Sequence, residues 1–308
     1  MFMNLVKTLA TKYFILLLSF VLVVSTLLVA MIFSSTLQSV PRKSFAFKSQ
    51  NLEVQEEIRL PIIMYHNILN SRKGKYVVSE QQLEDDFSAF LKHGFTPVFM
   101  SDVIDWVDGK TTLPTKPIVI TFDDGHYNNI HYGIPIAKRL GVKFMINPVT
   151  SFSEFTVRSE DHSNPNYSHI TWDQMREAHE SGIVEFGNHT HRMHKFKPRF
   201  GIMRQGGESD ATYTKTLTED INESQDNFTR AGVPVPQTFA YPFGKYSKES
   251  KQILLDLGFR ALLTCDEWIN TVRKGDETSL HKLGRFNRDG HLSTAEIINR
   301  LENGKVKT

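Results

Sequence analysis

Short apolar runs alternate with amphipathic stretches along most of the chain, beginning at Pro61. This alternation is typical of repeated β-α units around a mostly parallel sheet. The apolar runs predict strands at residues 62–65, 118–122, 143–146, 184–186, 238–240 and 260–263. We therefore predict one α/β domain over residues 59–305. Its expected architecture is a distorted (β/α) barrel of about seven strands, with the functional loops at the carboxyl ends of the strands.

Polar residues and glycines mark the expected helix boundaries. Four hydroxyl residues have Gln or Glu three positions later, the spacing of a capping box, and each precedes a plausible helix: Ser79, Thr171, Thr216 and Ser293. Five glycines follow the helical stretches, where a left-handed residue would end a helix: Gly94, Gly141, Gly182, Gly232 and Gly258. The connections between elements are thus predicted to be short.

The N-terminal segment differs from the rest, because residues 13–33 include no charged side chain. This length is enough to span a bilayer, and the segment after it offers only a poor signal-peptide cleavage site. We predict a cytoplasmic N-terminus over residues 1–12, a transmembrane anchor over residues 13–33 and a stalk over residues 34–58. A cleaved signal peptide is the alternative. Lysines or arginines flank both ends of the span, so its orientation depends on the function.

Charge and cysteine content exclude several classes of protein. The 36 basic and 34 acidic side chains leave a net charge of +2, without a block of like charge that would suit nucleic acid. Cys265 is the single cysteine, which excludes an internal disulfide and a site built from several thiolates. Any metal ion must therefore be held by histidines and carboxylates.

Two adjacent carboxylates, Asp123 and Asp124, end the apolar run that begins at Pro117, and Gly125 follows them. Adjacent side chains on a strand point to opposite faces, but a glycine at the strand end lets the backbone turn so that both reach one site. Taken alone, Asp-Asp-Gly is equally typical of an ordinary turn.

Three histidines, His189, His191 and His194, follow another predicted strand within six residues. His189 and His194 can bind one ion only across a loop, whereas His189 and His191 would share a face if the strand continued. A surface loop with incidental histidines is the third interpretation. Two imidazoles and a carboxylate would leave coordination positions open for water and substrate, as in a catalytic metal site.

Three motifs, in this order, resemble carbohydrate esterase family four, the polysaccharide deacetylases. They are Thr-Phe-Asp-Asp-Gly at residues 121–125, His189-Thr190 with His194, and Tyr-Pro-Phe-Gly at residues 241–244. The five-residue spacing of the histidines and the Pro-Ile-Ile-Met-Tyr-His sequence at residues 61–66 resemble the poly-N-acetylglucosamine deacetylase branch. The resemblance covers nearly all of residues 60–290.

The resemblance implies a role for each motif residue. Asp123 would be the general base and His66 the general acid, a role that an ordinary imidazole pKa of about 6.5 would suit. The metal ligands would be Asp124, His189 and His194, with zinc as the expected metal and nickel, cobalt or iron also compatible. The substrate groove would be lined by Tyr241, Pro242, Phe243 and Gly244.

Two positions depart from the family pattern. The arginine that many relatives carry just before the Tyr-Pro loop is absent, and Arg285 is our candidate for the residue that orients Asp123. The late motif that combines an acid with an aromatic residue has a different spacing here. Trp268 is accordingly either a sugar-stacking platform or a core residue.

The resemblance and the anchor together imply a monomeric, single-pass protein of the cell membrane with its catalytic domain outside the cell. Its expected reaction is removal of N-acetyl groups from an extracellular or cell-wall polysaccharide like poly-N-acetylglucosamine. Peptidoglycan, chitin oligomers or an O-acetylated glycan are alternative substrates. A non-catalytic protein that binds wall polysaccharide is the alternative from another class, and the intact Asp123 argues against it because binding needs no base.

Overall fold

A computed structural model describes residues 56–307. The predicted anchor and most of the predicted stalk, residues 13–33 and 34–55, lie outside the described residues. Within residues 56–307, no helix is both long enough and apolar enough to cross a membrane. The first strand begins at Glu57, inside the predicted stalk, and pairs with Ile269–Arg273. The folded domain therefore starts before the predicted boundary at residue 59.

The strands are numbered in chain order. They are β1 (Glu57–Leu60), β2 (Ile62–Tyr65), β3 (Asn67–Ile68), β4 (Val77–Val78), β5 (Thr96–Pro97), β6 (Pro117–Asp124), β7 (Phe144–Pro148), β8 (Val184–Phe186), β9 (Thr238–Ala240), β10 (Ala261–Leu263), β11 (Ile269–Arg273), β12 (Phe286–Asn287) and β13 (Val306–Lys307).

The helices alternate with these strands. They are α1 (Glu80–Lys92), α2 (Met100–Val107), α3 (Tyr127–His131), α4 (Gly133–Leu140), α5 (Thr150–Val157), α6 (Trp172–Glu180), α7 (Asp210–Ala231), α8 (Lys248–Asp256) and α9 (Thr294–Asn303). Short 3₁₀ turns occupy Pro242–Gly244 and Glu277–Leu280.

The main sheet is parallel and contains four of the six predicted strands, namely β2, β6, β7 and β8. Its hydrogen-bonded order is β12-β2-β6-β7-β8, and β9 pairs separately with β10. A bridge between Asn188 and Phe239 links the segment after β8 to β9, and a bridge between Leu263 and Leu283 links β10 to the segment before β12. The order of neighbours thus returns to its starting strand, as a (β/α) barrel requires.

Most of the predicted helix signals are confirmed, and one is wrong. Capping boxes are present at Ser79, Thr171 and Ser293. Thr216 does not begin a helix, because it lies inside α7, where its hydroxyl donates to the Thr212 carbonyl at 2.8 Å. The cap of α7 is Ser209, whose hydroxyl accepts a hydrogen bond from the Thr212 backbone N–H at 3.1 Å. The same residue spacing can therefore occur in the middle of a helix.

Both faces of the parallel sheet are buried, which explains its nearly continuous apolar strands. Ile62 and its partner Val119 belong to one apolar cluster, whereas Ile63 and its partner Ile120 belong to another. Successive residues of a strand point to opposite faces, so each strand contributes to both clusters. Polar side chains are left to the strand ends, where the candidate site lies.

Candidate metal and catalytic site

The carboxyl ends of several parallel strands meet around one open cavity of about 720 Å³. The cavity is lined by residues that follow or end β2, β6, β8 and β9, among them His66, Asp123, Asp124, His189, His194 and Phe243. The structure thus brings together predicted site residues from four separate segments of the chain. Convergence at this end of the strands is what an α/β barrel produces.

The end of β6 turns sharply, and this turn brings both aspartates to the cavity. Asp124 has a φ of 72° and Gly125 a φ of 73°, both in the left-handed region. A Cβ atom on Gly125 would lie 2.6 Å from Pro148 Cβ, so only glycine fits there. The turn begins at Asp124 itself, one residue earlier than the sequence suggested. Such strained backbone in a non-glycine residue is typical of functional sites.

Three side chains present donor atoms that could hold a divalent cation. The donor atoms of Asp124, His189 and His194 all lie within 4.8 Å of one another. Asp124 Oδ1 is 3.4 Å from His194 Nε2 and 3.8 Å from His189 Nε2. This oxygen is buried and has no hydrogen-bond partner in the described part of the chain, so a cation would satisfy it. The donor set fits a catalytic metal site with open positions.

His189 is held as a neutral imidazole that faces Asp124. Its Nδ1 donates to the Ala240 carbonyl at 2.7 Å, which leaves the Nε2 lone pair toward Asp124. Burial lowers the pKa of His189 to about 4, and this outweighs the opposing effect of Asp123. A neutral ring is the form that binds metal.

His191 points away from the cluster of donor atoms. Its Nδ1 lies 2.9 Å from the Thr150 hydroxyl, and its Nε2 lies 3.1 Å from a Glu223 carboxylate oxygen. The chain turns between His189 and His191 at Thr190, which has a φ of 74°. The rival pairing of His189 with His191 required a continued strand, and the strand ends at Phe186 instead.

Asp123 is buried and held by three hydrogen bonds. Arg285 donates to both of its carboxylate oxygens at 2.8 Å, and Asn147 Nδ2 donates to Oδ1 at 2.8 Å. Burial raises the pKa of Asp123, but the guanidinium of Arg285 and then His189 lower it more strongly. The pKa therefore lies well below its ordinary value. The carboxylate is ionised at neutral pH.

His66 follows β2 and reaches the same cavity, beside Tyr76. The two ring centroids are 4.7 Å apart. Its Nδ1 is buried and accepts or donates no hydrogen bond within residues 56–307. Burial lowers the pKa of His66, although Asp124 and then Asp123 oppose this effect. Desolvation of the ring thus has a larger effect on the pKa of His66 than the two neighbouring carboxylates.

The loop after β9 contributes one side chain to the cavity. Phe243 has a φ of 58°, and its ring centroid lies 4.5 Å from that of His194. Pro242 and Gly244 form the turn around it, and a Cβ atom on Gly244 would lie 2.6 Å from Cys265 Cβ. Tyr241 is almost fully buried behind this turn, packed on Phe239 and Tyr246.

Trp268 lies apart from the lining of the cavity. Its indole N–H donates to Asn270 Oδ1 at 2.9 Å, and the ammonium groups of Lys282 and Lys307 lie 5.1 Å and 5.0 Å from the indole centroid. The indole is half-buried beside these two lysines and does not line the cavity.

Two further side chains of the site were missed in the sequence. Asn147 lies opposite Asp123 in the β6–β7 register and donates to it. Its signal was its place directly after the predicted strand at residues 143–146. His126 directly follows Asp-Asp-Gly, and its Nε2 lies 3.6 Å from Asp124 Oδ2. Its ring stacks on His169 at 4.8 Å, which holds it beside the carboxylate.

The sequence has recognisable relatives. Residues 110–262 match the family described as polysaccharide deacetylase. A poly-beta-1,6-N-acetyl-D-glucosamine N-deacetylase of Escherichia coli K12 is 23% identical over 240 residues, which are 70% of this chain and 35% of that protein. The enzyme of the same name from Staphylococcus aureus MRSA252 is 23% identical over 202 residues, 65% of each protein. The chain thus spans about a third and about two thirds of the lengths of these relatives.

Solved structures share the fold. A de-N-acetylase from Aggregatibacter actinomycetemcomitans superposes with a TM-score of 0.68 at 22% identity, covering 79% of this chain and 99% of that one. IcaB from Ammonifex degensii superposes with a TM-score of 0.64 at 21% identity, covering 80% and 98%. The resemblance drawn from the motifs is confirmed, and residues 110–262 form a polysaccharide deacetylase family domain.

Proposed function

We propose that this chain is a metal-dependent N-deacetylase acting on a polysaccharide of the poly-N-acetylglucosamine kind. One observation carries the proposal. Three donor side chains, Asp124, His189 and His194, meet in an open cavity directly beside Asp123, a buried carboxylate that is kept ionised by Arg285. A binding protein would have no need of such a base. The names of the relatives support the choice of substrate class.

Asp124, His189 and His194 are the proposed ligands of a divalent cation. Bound there, the cation would polarise the acetamide carbonyl and lower the pKa of the attacking water. Zinc suits two imidazole nitrogens and one carboxylate oxygen, and nickel, cobalt or iron are the alternatives.

Protein groups around the acetamide carry out the remaining steps of the proposed reaction. Asp123, held in place by Arg285 and Asn147, accepts a proton from the attacking water, whose oxygen bonds to the acetyl carbon. The backbone N–H of Phe243 stabilises the negative charge that develops on the carbonyl oxygen. As the carbon–nitrogen bond breaks, His66 donates a proton to the leaving amine. Acetate and a free amino sugar are the products.

Acetate release is the direct test. The purified protein is stripped of metal, and acetate is measured with and without added Zn²⁺ on β-1,6-linked N-acetylglucosamine oligomers, chitin oligomers, peptidoglycan and an O-acetylated glycan. We expect metal-dependent release, fastest from the β-1,6-linked oligomers. Faster acetate release from another glycan would identify that glycan, and not the β-1,6-linked oligomers, as the preferred substrate. No release from any of them, with binding retained, would favour a non-catalytic polysaccharide-binding protein.

We also propose that residues 13–33 anchor a monomer in the cell membrane with the deacetylase domain outside the cell. The uncharged stretch supports the anchor, and the extracellular location of acetylated polysaccharides supports the orientation.

A further inference from the structure

Three phenylalanine rings stack at the edge of the cavity. The centroids of Phe196 and Phe243 are 4.3 Å apart, those of Phe200 and Phe243 5.2 Å, and those of Phe196 and Phe200 5.7 Å. The planes of all three pairs lie within 27° of parallel. Phe196 is nevertheless 70% exposed and Phe200 38% exposed. These rings, named here the phenylalanine platform, present an apolar surface to solvent that packing within the chain does not require.

Hydrogen bonds and an ion pair hold the loop that carries Phe196 and Phe200. The backbone N–H of Gly201 donates to the Lys195 carbonyl at 2.9 Å, closing the loop. Arg199 donates to both carboxylate oxygens of Glu208 at 2.9 Å and 2.6 Å, and this pair is largely shielded from solvent. Exposed rings on a fixed loop lose little conformational entropy when a ligand binds.

The loop also packs directly on the turn that carries Phe243. A Cβ atom on Gly201 would lie 3.2 Å from the Pro242 carbonyl oxygen, so the two backbones approach closely. Phe243 itself has a left-handed φ of 58°, an uncommon conformation for an aromatic residue. Strain of this kind persists where the surroundings demand one side-chain position. Here it directs the Phe243 ring between His194 and the other two rings of the platform.

We infer that the phenylalanine platform is a subsite that stacks a pyranose ring of the glycan, next to the sugar whose acetamide enters the metal site. This inference rests on the proposed deacetylase function. A β-linked pyranose has apolar C–H faces that pack on aromatic rings, and its burial removes apolar surface from water. Phe243 links the platform to His194 without a gap, so an occupant of the platform is continuous with one in the cavity. A single polysaccharide chain can therefore occupy the platform and the cavity at the same time.

A further exposed ring also lines the cavity. Tyr76 is 47% exposed, lines the cavity and lies beside His66. Tyr76 lies beside His66, which follows β2, whereas Phe196 lies in the segment after β8, and β2 and β8 are three places apart in the order of strands. A glycan chain bound on the platform would therefore extend across the cavity toward Tyr76.

The test compares substrates of increasing length. Acetate release from β-1,6-linked N-acetylglucosamine monomer to pentamer is measured for the wild-type protein and for Phe196→Ala, Phe196→Leu and Phe196→Trp, all in the full chain. Phe155→Ala is the matched control, because Phe155 is 75% exposed and does not line the cavity. Phe196→Ala and Phe196→Leu should lower kcat/KM on the pentamer by about tenfold, mainly through KM, and much less on the monomer. Phe196→Trp should restore the preference for long substrates, and the control should match wild type.

Equal losses on monomer and pentamer, or full activity of Phe196→Leu on the pentamer, would overturn the subsite while leaving the deacetylase intact. Pentamer binding to the Asp123→Asn protein, measured by calorimetry with and without Phe196→Ala, separates the two proposals. Weaker binding of the double variant, in a protein whose wild type releases no acetate, would keep the subsite and overturn the deacetylase. Unchanged binding would overturn the subsite in either case.

Discussion

Arg285 and Asp123 form a bidentate ion pair with both N–O distances at 2.8 Å, although 162 residues separate them in the sequence. Arg285 is fully buried, and its Nε also donates to the Thr264 carbonyl at 3.0 Å. The guanidinium is therefore fixed in orientation as well as in position. This geometry supports an orienting role for Arg285 in a chain that has no arginine just before Tyr241.

Replacing Arg285 should shift the pH dependence of the reaction. In Arg285→Gln the Asp123 carboxylate loses its main source of stabilisation, so its pKa rises from its present low value. A general base works only when it is deprotonated. Activity should accordingly be lost at a higher pH as the pH falls, and turnover near neutral pH should drop by about 10²-fold or more. The acid limb of the kcat/KM profile measures this shift.

The same variant should also be less stable, because an unpaired buried carboxylate costs about 3–5 kcal/mol. Urea unfolding near neutral pH measures the loss. Arg260→Gln is the control, since Arg260 pairs at the surface with Asp108 and Glu277. An acid limb that stays in place in Arg285→Gln would show that another group orients the base.

The placement of the site at strand ends followed from the sequence because parallel strands impose it. Apolar runs that stop at Asp123 or before His189 can only deliver those side chains to one edge of the sheet. Trp268 had no such constraint, since an aromatic residue suits a core as well as a groove. Its indole packs against lysines and Asn270 instead.

Residues that act through long-range pairing were harder to find. Asn147 reaches Asp123 only through the β6–β7 register, and a single sequence does not state which strands are neighbours. The lowered pKa of His66 likewise depends on burial by distant segments of the chain. The prediction that Thr216 begins a helix was wrong because a hydroxyl residue with Glu three positions later can occur in the middle of a helix as well as at its start.

Single substitutions should distinguish the three proposed metal ligands from the neighbouring His191. Asp124→Ala, His189→Ala and His194→Ala should each lose bound metal and activity, because each removes a donor atom from the cluster. His191→Ala should keep most of the metal, since its ring faces Thr150 and Glu223. Elemental analysis of the purified variants measures the metal content. Loss of metal from His191→Ala but not from His194→Ala would reverse the assignment of the pair.

The proposed base should be dispensable for metal binding. Asp123→Asn preserves the shape of the side chain but cannot accept the proton of the attacking water. We expect metal content to match wild type while turnover falls by about 10²–10⁴-fold. Metal analysis and acetate release on the same preparation give both values. Turnover within a few-fold of wild type would mean that another group takes the proton.

The N-terminal segment should keep the protein in the membrane. Residues 13–33 are long enough to span the bilayer and lack a good cleavage site, so the full-length protein should appear in the membrane fraction. Protease added to intact cells should degrade the deacetylase domain. A shortened protein in the medium would identify a cleaved signal peptide, and protection from external protease would contradict the proposed orientation.

His66 should act on the leaving amine and leave metal binding untouched. It lies on a different strand end from the three ligands and is not part of their donor cluster, so His66→Ala should bind metal as wild type does. Turnover on an N-acetylated glycan should fall by about 10²–10⁴-fold, equivalent to roughly 3–5 kcal/mol of barrier. Elemental analysis and acetate release measure the two effects.

The pH profile and the leaving group distinguish a general acid from a structural residue. An acid works only when protonated, and burial lowers the pKa of His66. The alkaline limb of the wild-type pH profile of kcat/KM should therefore have an apparent pKa below the ordinary imidazole pKa of about 6.5. This limb should vanish in His66→Ala. The leaving group of an activated acetyl ester needs little protonation. The His66→Ala substitution should therefore lower the rate of ester hydrolysis much less than the rate of amide hydrolysis. Equal losses on ester and amide, or an alkaline limb that persists in the variant, would exclude His66 as the acid.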